Sequence, residues 1–115
     1  MGIELLKGLT LTKVHQICDA KIEFEAGKRT FKMFHHQDCC ECVYIEDVNG
    51  DFMDLIGSPI LVAEEREAEN VEAAESGTWT FYTLRTVKGS VDIRWNGESN
   101  GYYSESVDFF EDTQE

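Results

Sequence analysis

Thr78-Trp79-Thr80-Phe81-Tyr82-Thr83-Leu84-Arg85-Thr86-Val87-Lys88-Gly89-Ser90-Val91-Asp92-Ile93-Arg94-Trp95 is the stretch whose reading decides the fold. β-Branched and aromatic residues dominate it, and these suit a pleated, half-buried surface. Trp79, Phe81, Thr83 and Val87 share one face, while Tyr82 and Leu84 share the other. Lys88-Gly89 turns the chain. Val91, Ile93 and Trp95 then alternate with Asp92 and Arg94. Gly97-Glu98-Ser99-Asn100-Gly101 forms a second turn, after which Tyr103, Val107 and Phe109 alternate with Ser104, Ser106 and Asp108. A three-stranded antiparallel meander is predicted.

Upstream, Lys21 to Ala26 alternates with Ile22 and Phe24 on one face, and Gly27-Lys28 supplies a two-residue turn. Arg29 to His36 alternates again, with Phe31, Met33 and His35 together. This pair reads as a hairpin. Val43 to Val48 is a short strand. Asp51 to Gly57 reads as a short helix, capped by Asp51, closed by Gly57 and followed by Pro59. Ile60 to Glu65 is a strand that runs out into an acidic stretch near residues 64–76, expected to be a mobile, solvated loop. Residues 110–115 read as a frayed acidic tail. The fold class is α+β: mostly antiparallel β-sheet with one short helix, in a single domain covering 1–115.

The size agrees with one domain, since the chain has 115 residues of which 42% are hydrophobic. No apolar run is long enough to cross a membrane and no charged-then-apolar leader is present, so a cytoplasmic protein is expected. The formal charge is -13. Between Met33 and Leu84 twelve acids face a single base, Arg66. Such a chain excludes binding to nucleic acid through the phosphates. It suits a partner whose own basic surface takes nucleic acid, because complementary potentials steer such encounters. Glu46, Asp47, Asp51 and Asp54 are the candidate partner-binding residues. The plain alternative is that acidity keeps a small protein soluble.

Three of four cysteines and two of three histidines fall in His35-His36-Gln37-Asp38-Cys39-Cys40-Glu41-Cys42. A bridge between neighbouring cysteines is strained, and no secreted disulfide pattern is present. Crowded thiolates and imidazoles suit a divalent metal, with zinc first and a structural role expected. A strand presents His35 and His36 on opposite faces, so one of them reaches a site shared with the next turn. Asp38, Cys39 and Cys40 come back toward His35. Cys42, His36 or Glu98 are alternatives to Asp38, and simply buried thiols are the alternative to any metal. A calcium loop at Glu46–Asp51 fails, because Phe52 and Ser58 stand where glycine and glutamate are needed. No phosphate loop, dinucleotide fingerprint or Gly-x-Ser-x-Gly is found.

Gln37-Asp38-Cys39-Cys40-Glu41 followed by Val43-Tyr44-Ile45-Glu46-Asp47, and Gly97-Glu98-Ser99-Asn100-Gly101-Tyr102-Tyr103-Ser104-Glu105 after Ile93-Arg94-Trp95, carry a resemblance. With Leu55-Ile56-Gly57-Ser58-Pro59-Ile60 and Thr78-Trp79-Thr80-Phe81-Tyr82, the chain from Arg29 to Phe109 resembles a family of small phage and prophage proteins of unknown function. That family carries the Cys39-Cys40 pair without a cysteine at 42, which favours His35, Asp38, Cys39 and Cys40 as the ligand set. The resemblance implies a setting in which small acidic proteins act against host machinery, anti-CRISPR proteins among them. The function expected is therefore a metal-stabilised acidic inhibitor of host defence. It would block DNA binding at the basic, nucleic-acid-binding surface of an RNA-guided nuclease, a type II CRISPR nuclease first. The second reading is a metal-dependent enzyme or small-nucleotide binder. There His35, Cys39 and Cys40 would leave an open coordination position, and Arg94, Asn100 and Tyr102 would line a pocket.

Overall fold

A computed structural model describes residues 2–37 and 40–112. Eight antiparallel strands form two four-stranded sheets. The first holds β1 (Lys13–Cys18), β2 (Lys21–Ala26), β3 (Arg29–Phe34) and β8 (Asp108–Asp112), in that order across the sheet. The second runs β4 (Cys42–Asn49), β7 (Gly89–Ser99), β6 (Ser76–Thr86) and β5 (Val62–Glu69). The sheets pack face to face around one core. The indole N–H of Trp95 on β7 reaches the Met33 sulfur on β3 at 3.3 Å. Phe109 of β8 stacks on Phe31 and meets Phe24.

The alternation read from the sequence holds. Ile22, Phe24, Phe31, Met33, Tyr82, Leu84, Val91, Ile93 and Trp95 are buried. Trp79, Phe81 and Thr83 are half-buried on the opposite face of β6. Ala26 pairs with Arg29 across the Gly27-Lys28 turn, where Gly27 takes a φ of 66°. The next hairpin turns one residue earlier than expected. Thr86 pairs with Gly89, so Val87 sits in the turn rather than on a strand face.

Three expectations need correction. The domain is mostly antiparallel β-sheet, and the described residues contain no α-helix. Asp51 does accept a bond from the Met53 N–H at 2.9 Å, but only a single 3-10 turn follows, Phe52–Leu55. One turn of helix fixes many dihedrals for few bonds, and Pro59 pushes the preceding residue toward extended backbone. Second, residues 64–69 of the acidic stretch are strand, not loop. Eight register pairs to β6 hold β5 through Glu69. Third, the expected third strand of the meander leaves the sheet. Residues 100–107 cross to the other layer, and β8 pairs with β3, drawing residues 110–112 of the expected tail into a strand. Arg29 makes two bonds to Glu111, and Lys32 bonds Asp112 at 2.8 Å, which pins that edge. β1 is a strand the sequence reading did not place, because only Val14 in it is buried.

A second 3-10 turn, Ile3–Leu6, closes the seam between β5 and β8, with Ile3 and Leu6 fully buried. No helix among the described residues is long and apolar enough to cross a membrane. Replacing Leu6 by Ala should open a cavity in that seam and cost about 3 kcal/mol. Urea denaturation would show this as a lower midpoint with an unchanged slope.

Candidate functional site at the polar end of the sandwich

Three connections meet at one end of the sandwich: residues 35–37 and 40–41 after β3, 70–75 between β5 and β6, and 100–107 between β7 and β8. The register brings them together. Glu98 faces Cys42 on one side and Gly77 on the other, and Phe34 faces Asp108. Gly97 makes the crossing possible. A Cβ there would lie 2.6 Å from the Glu105 carbonyl oxygen, so only glycine lets the loop pass this close.

His35 stands at the centre of the first connection, its side chain 4% exposed. Nδ1 lies 2.8 Å from the Ser106 carbonyl oxygen, and Nε2 lies 2.8 Å from Oε2 of Glu41. Glu41 has a fully buried side chain. A carbonyl only accepts, so Nδ1 carries its proton. The second bond then requires one more proton, shared between Nε2 and the carboxyl. Gln37 donates to the Glu41 carbonyl and braces the turn. A buried pair of this kind is costly to break, because one polar group would be left without its partner.

This arrangement bears on the expected zinc ligands. His35 has no ring lone pair to offer while it bonds Ser106 and Glu41. Cys40 is in a disulfide, and Asp38 and Cys39 lie outside the described residues. Zinc binding there would require His35 to leave one partner and the Cys40 disulfide to be reduced. Cys42 is a free, exposed thiol, His36 is exposed, and Glu98 accepts from Asn96 Nδ2 at 2.9 Å. The described residues bring one other metal-type group together, His15, Glu23 and Glu25 on the outer face of β1 and β2. Lys21 and Lys32 also reach Glu23 there, at 3.8 and 3.9 Å.

Glu105 anchors the crossing loop. Oε1 accepts from Thr78 Oγ1 at 2.8 Å and Oε2 accepts from Ser99 Oγ at 2.5 Å. Burial pushes its carboxyl up, but the hydroxyls of Ser99, Ser76 and Thr78 together outweigh that and hold it below the ordinary 4.5. Beside it, Asn70 Nδ2 donates to Asn96 Oδ1, and Asn96 Nδ2 donates to Tyr44 and Glu98. Polar side chains therefore tie all three connections to the sheets.

The acids singled out for a partner are elsewhere and partly committed. Glu46 holds Arg94 through two bonds, and Arg94 also lies over the Trp79 ring. Asp51 caps the short turn, and Asp54 is half-buried against Gly89. Asp47 is exposed. Arg94 sits on the outer sheet face, so it does not join Asn100 and Tyr102 in one pocket. Glu64, Glu67, Glu69, Glu72 and Glu75 are exposed along β5 and the turn after it. Reading residues 64–76 as a loop concealed this; the alternation of glutamates at 65, 67 and 69 was the available signal.

A family model described as Domain of unknown function (DUF7448) matches residues 4–109. The chain belongs to that family. No curated protein and no solved structure matches it. The match to DUF7448 runs from the N-terminal 3-10 turn to the start of β8 and so spans β1 to β7.

The Glu105 anchor has a measurable signature. Its folded-state carboxyl titrates below the unfolded value, so its stabilisation is present above about 4.5 and is lost as pH falls through the folded value. Melting curves between pH 7 and pH 3 should show Glu105→Gln losing less stability on acidification than the wild type. Equal losses would mean that the hydroxyl cluster does not favour the carboxylate. Glu41→Ala should cost about 3 kcal/mol at pH 7, read by the same melts.

Proposed function

We propose that this chain acts by binding rather than by chemistry, as an acidic inhibitor that occupies the basic nucleic-acid-binding surface of a host protein. The observation that carries the reading is the charge along β5. Four carboxylates, Glu64, Glu65, Glu67 and Glu69, lie on one edge strand, and the turn adds Glu72 and Glu75. At a rise of about 3.4 Å per residue, the four span about 17 Å. That is about one carboxylate per 6 Å, against one phosphate per 3.4 Å along one strand of duplex DNA. The strand's single base, Arg66, lies over the Phe81 ring on the outer face and away from Glu65, Glu67 and Glu69. Glu64, Glu67 and Glu69 are exposed on this strand, while Glu65 is half-buried with a side-chain bond to Tyr82, and a rigid edge presents the exposed charges without the ordering cost of a loop.

The resemblance to small phage proteins supports an RNA-guided nuclease of a CRISPR system as the first partner of this class, since such effectors hold nucleic acid in basic channels. A structural zinc at the polar end stays part of the proposal only in a reduced form of the protein. Among the described residues of the polar end, both ring nitrogens of His35 are already bonded, which gives the enzyme reading no support from that histidine.

Titration into a guide-loaded type II nuclease should inhibit target cleavage stoichiometrically, with inhibition fading as salt rises. Neutralising Glu64, Glu67, Glu69 and Glu72 together should weaken binding at least tenfold. Neutralising Glu46, Asp47, Asp51 and Asp54 should weaken it less. Inhibition unchanged by either set would remove charge mimicry, and no inhibition at large excess would remove this partner.

A further inference from the structure

The outer face of the β4–β7–β6–β5 sheet has no second sheet over it among the described residues. Register sets the side chains of that face in rows across the strands. Ala68 and Trp79 stand in one row. Arg66, Phe81 and Arg94 stand in the next. Glu64, Thr83 and Asp92 follow, and then Val62 and Arg85. A basic row therefore lies beside an acidic row, one two-residue step of about 7 Å away.

The arginines set this face apart. Three of the chain's four, Arg66, Arg85 and Arg94, are on it. Arg66 lies over the Phe81 ring at 5.7 Å and Arg94 over the Trp79 ring at 5.3 Å. Acids outnumber bases 23 to 10 in this chain, yet neither Arg66 nor Arg85 is in an ion pair among the described residues. Glu64 and Asp92 are exposed one row away, and Thr83 Oγ1 holds Asp92 at 2.9 Å. Guanidiniums laid flat on rings are already ordered, so less freedom is lost when a carboxylate meets them.

We propose that this face binds a second copy of the chain, face to face, about a two-fold axis that crosses the strands between the basic and acidic rows. The rotation lays each strand over its own counterpart and exchanges the rows. Arg66 then meets Glu64 of the second copy, and Arg94 meets Asp92 of the second copy. In the outer rows Trp79 meets Arg85 of the second copy, a cation over a ring, and Ala68 meets Val62 of the second copy. Each contact occurs twice, as a self-complementary interface requires. An axis placed on the basic row would set arginine over arginine, so charge fixes the register. Sheets stack about 10 Å apart, a gap that side chains of this length fill. The inference is independent of the nuclease reading, and the failure of either leaves the other standing.

The matching rows cover roughly 15 by 20 Å, which is less than a standard interface offers. The rotation also brings both β5 edges to one side, where their glutamates repel. A weak dimer is therefore expected, with a dissociation constant on the order of 100 μM.

The test is sedimentation equilibrium of the full chain from about 10 μM to about 1 mM at physiological salt, which screens the general repulsion. The average mass should rise with concentration from 13.1 kDa toward twice that value. Arg94 is already held by Glu46, so Arg66 and Glu64 are the residues to change. Arg66→Glu alone, or Glu64→Arg alone, should weaken the dimer by at least about tenfold, because each sets like charges together. Combining the two should restore it to within about threefold of the wild type, because the swap exchanges the signs on both sides. A chain that had merely failed to fold could not be rescued in this way. Glu72→Gln, which lies off the face, should change the constant less than about twofold. A mass that stays at one copy throughout would overturn the proposal. So would a dimer that Arg66→Glu leaves intact, or a double variant no better than either single one.

Discussion

The inner faces of the two sheets carry Phe24, Phe31, Met33, Tyr82, Leu84, Ile93 and Trp95, and a sheet with one apolar face must cover it. Each large side chain buried this way contributes roughly 1.5–3 kcal/mol. Neither four-stranded sheet could hold that surface in water alone, so the layers depend on each other. Everything else follows from closing the two faces together. Ile3 and Leu6 seal one side, and the β1–β2 turn is tied to the other layer by the Ile45 N–H bonding the Asp19 carbonyl.

Closure has a consequence at the polar end. The chain must pass from β7 in one layer to β8 in the other, and the crossing runs over Gly97. Backbone brought that close to a sheet edge needs partners for its polar groups. Glu105 with its hydroxyls, and His35 bonded to the Ser106 carbonyl, supply them. Both are charged or proton-sharing groups in half-dry surroundings, which is why they are sensitive points. They also hold the crossing loop against β6 and β7, so the same bonds that solve a folding problem shape a surface.

The acidic edge serves two physical ends at once. An edge strand exposes unpaired backbone groups and invites pairing with other chains. Glutamates at successive positions of β5 discourage that association. The same charges, spaced by an extended backbone, give a regular anionic row. Solubility alone would be met by acids scattered over the surface; here they are gathered along one strand and the turn after it.

The alternation of Thr78–Trp95 and of the first hairpin was legible because each residue's face depends on local period alone. The same holds for the Gly27 turn, which needs a left-handed residue at a known place. Membership of the hairpins in two layers was not legible. Tyr103, Val107 and Phe109 have the spacing of a strand, but which sheet receives β8 depends on Phe31 and Arg29, some eighty residues away in sequence. The helix expected at Asp51 had a correct cap and a correct stop, with too little chain between them to form more than one turn. At the candidate site the sequence showed that His35 faces inward and that acids crowd the middle of the chain. It could not show that Glu41 and Ser106 occupy both ring nitrogens of His35, or that the acids at 64–69 stand on a paired strand. Those facts depend on contacts between segments far apart, and only the packing of the two sheets decided them.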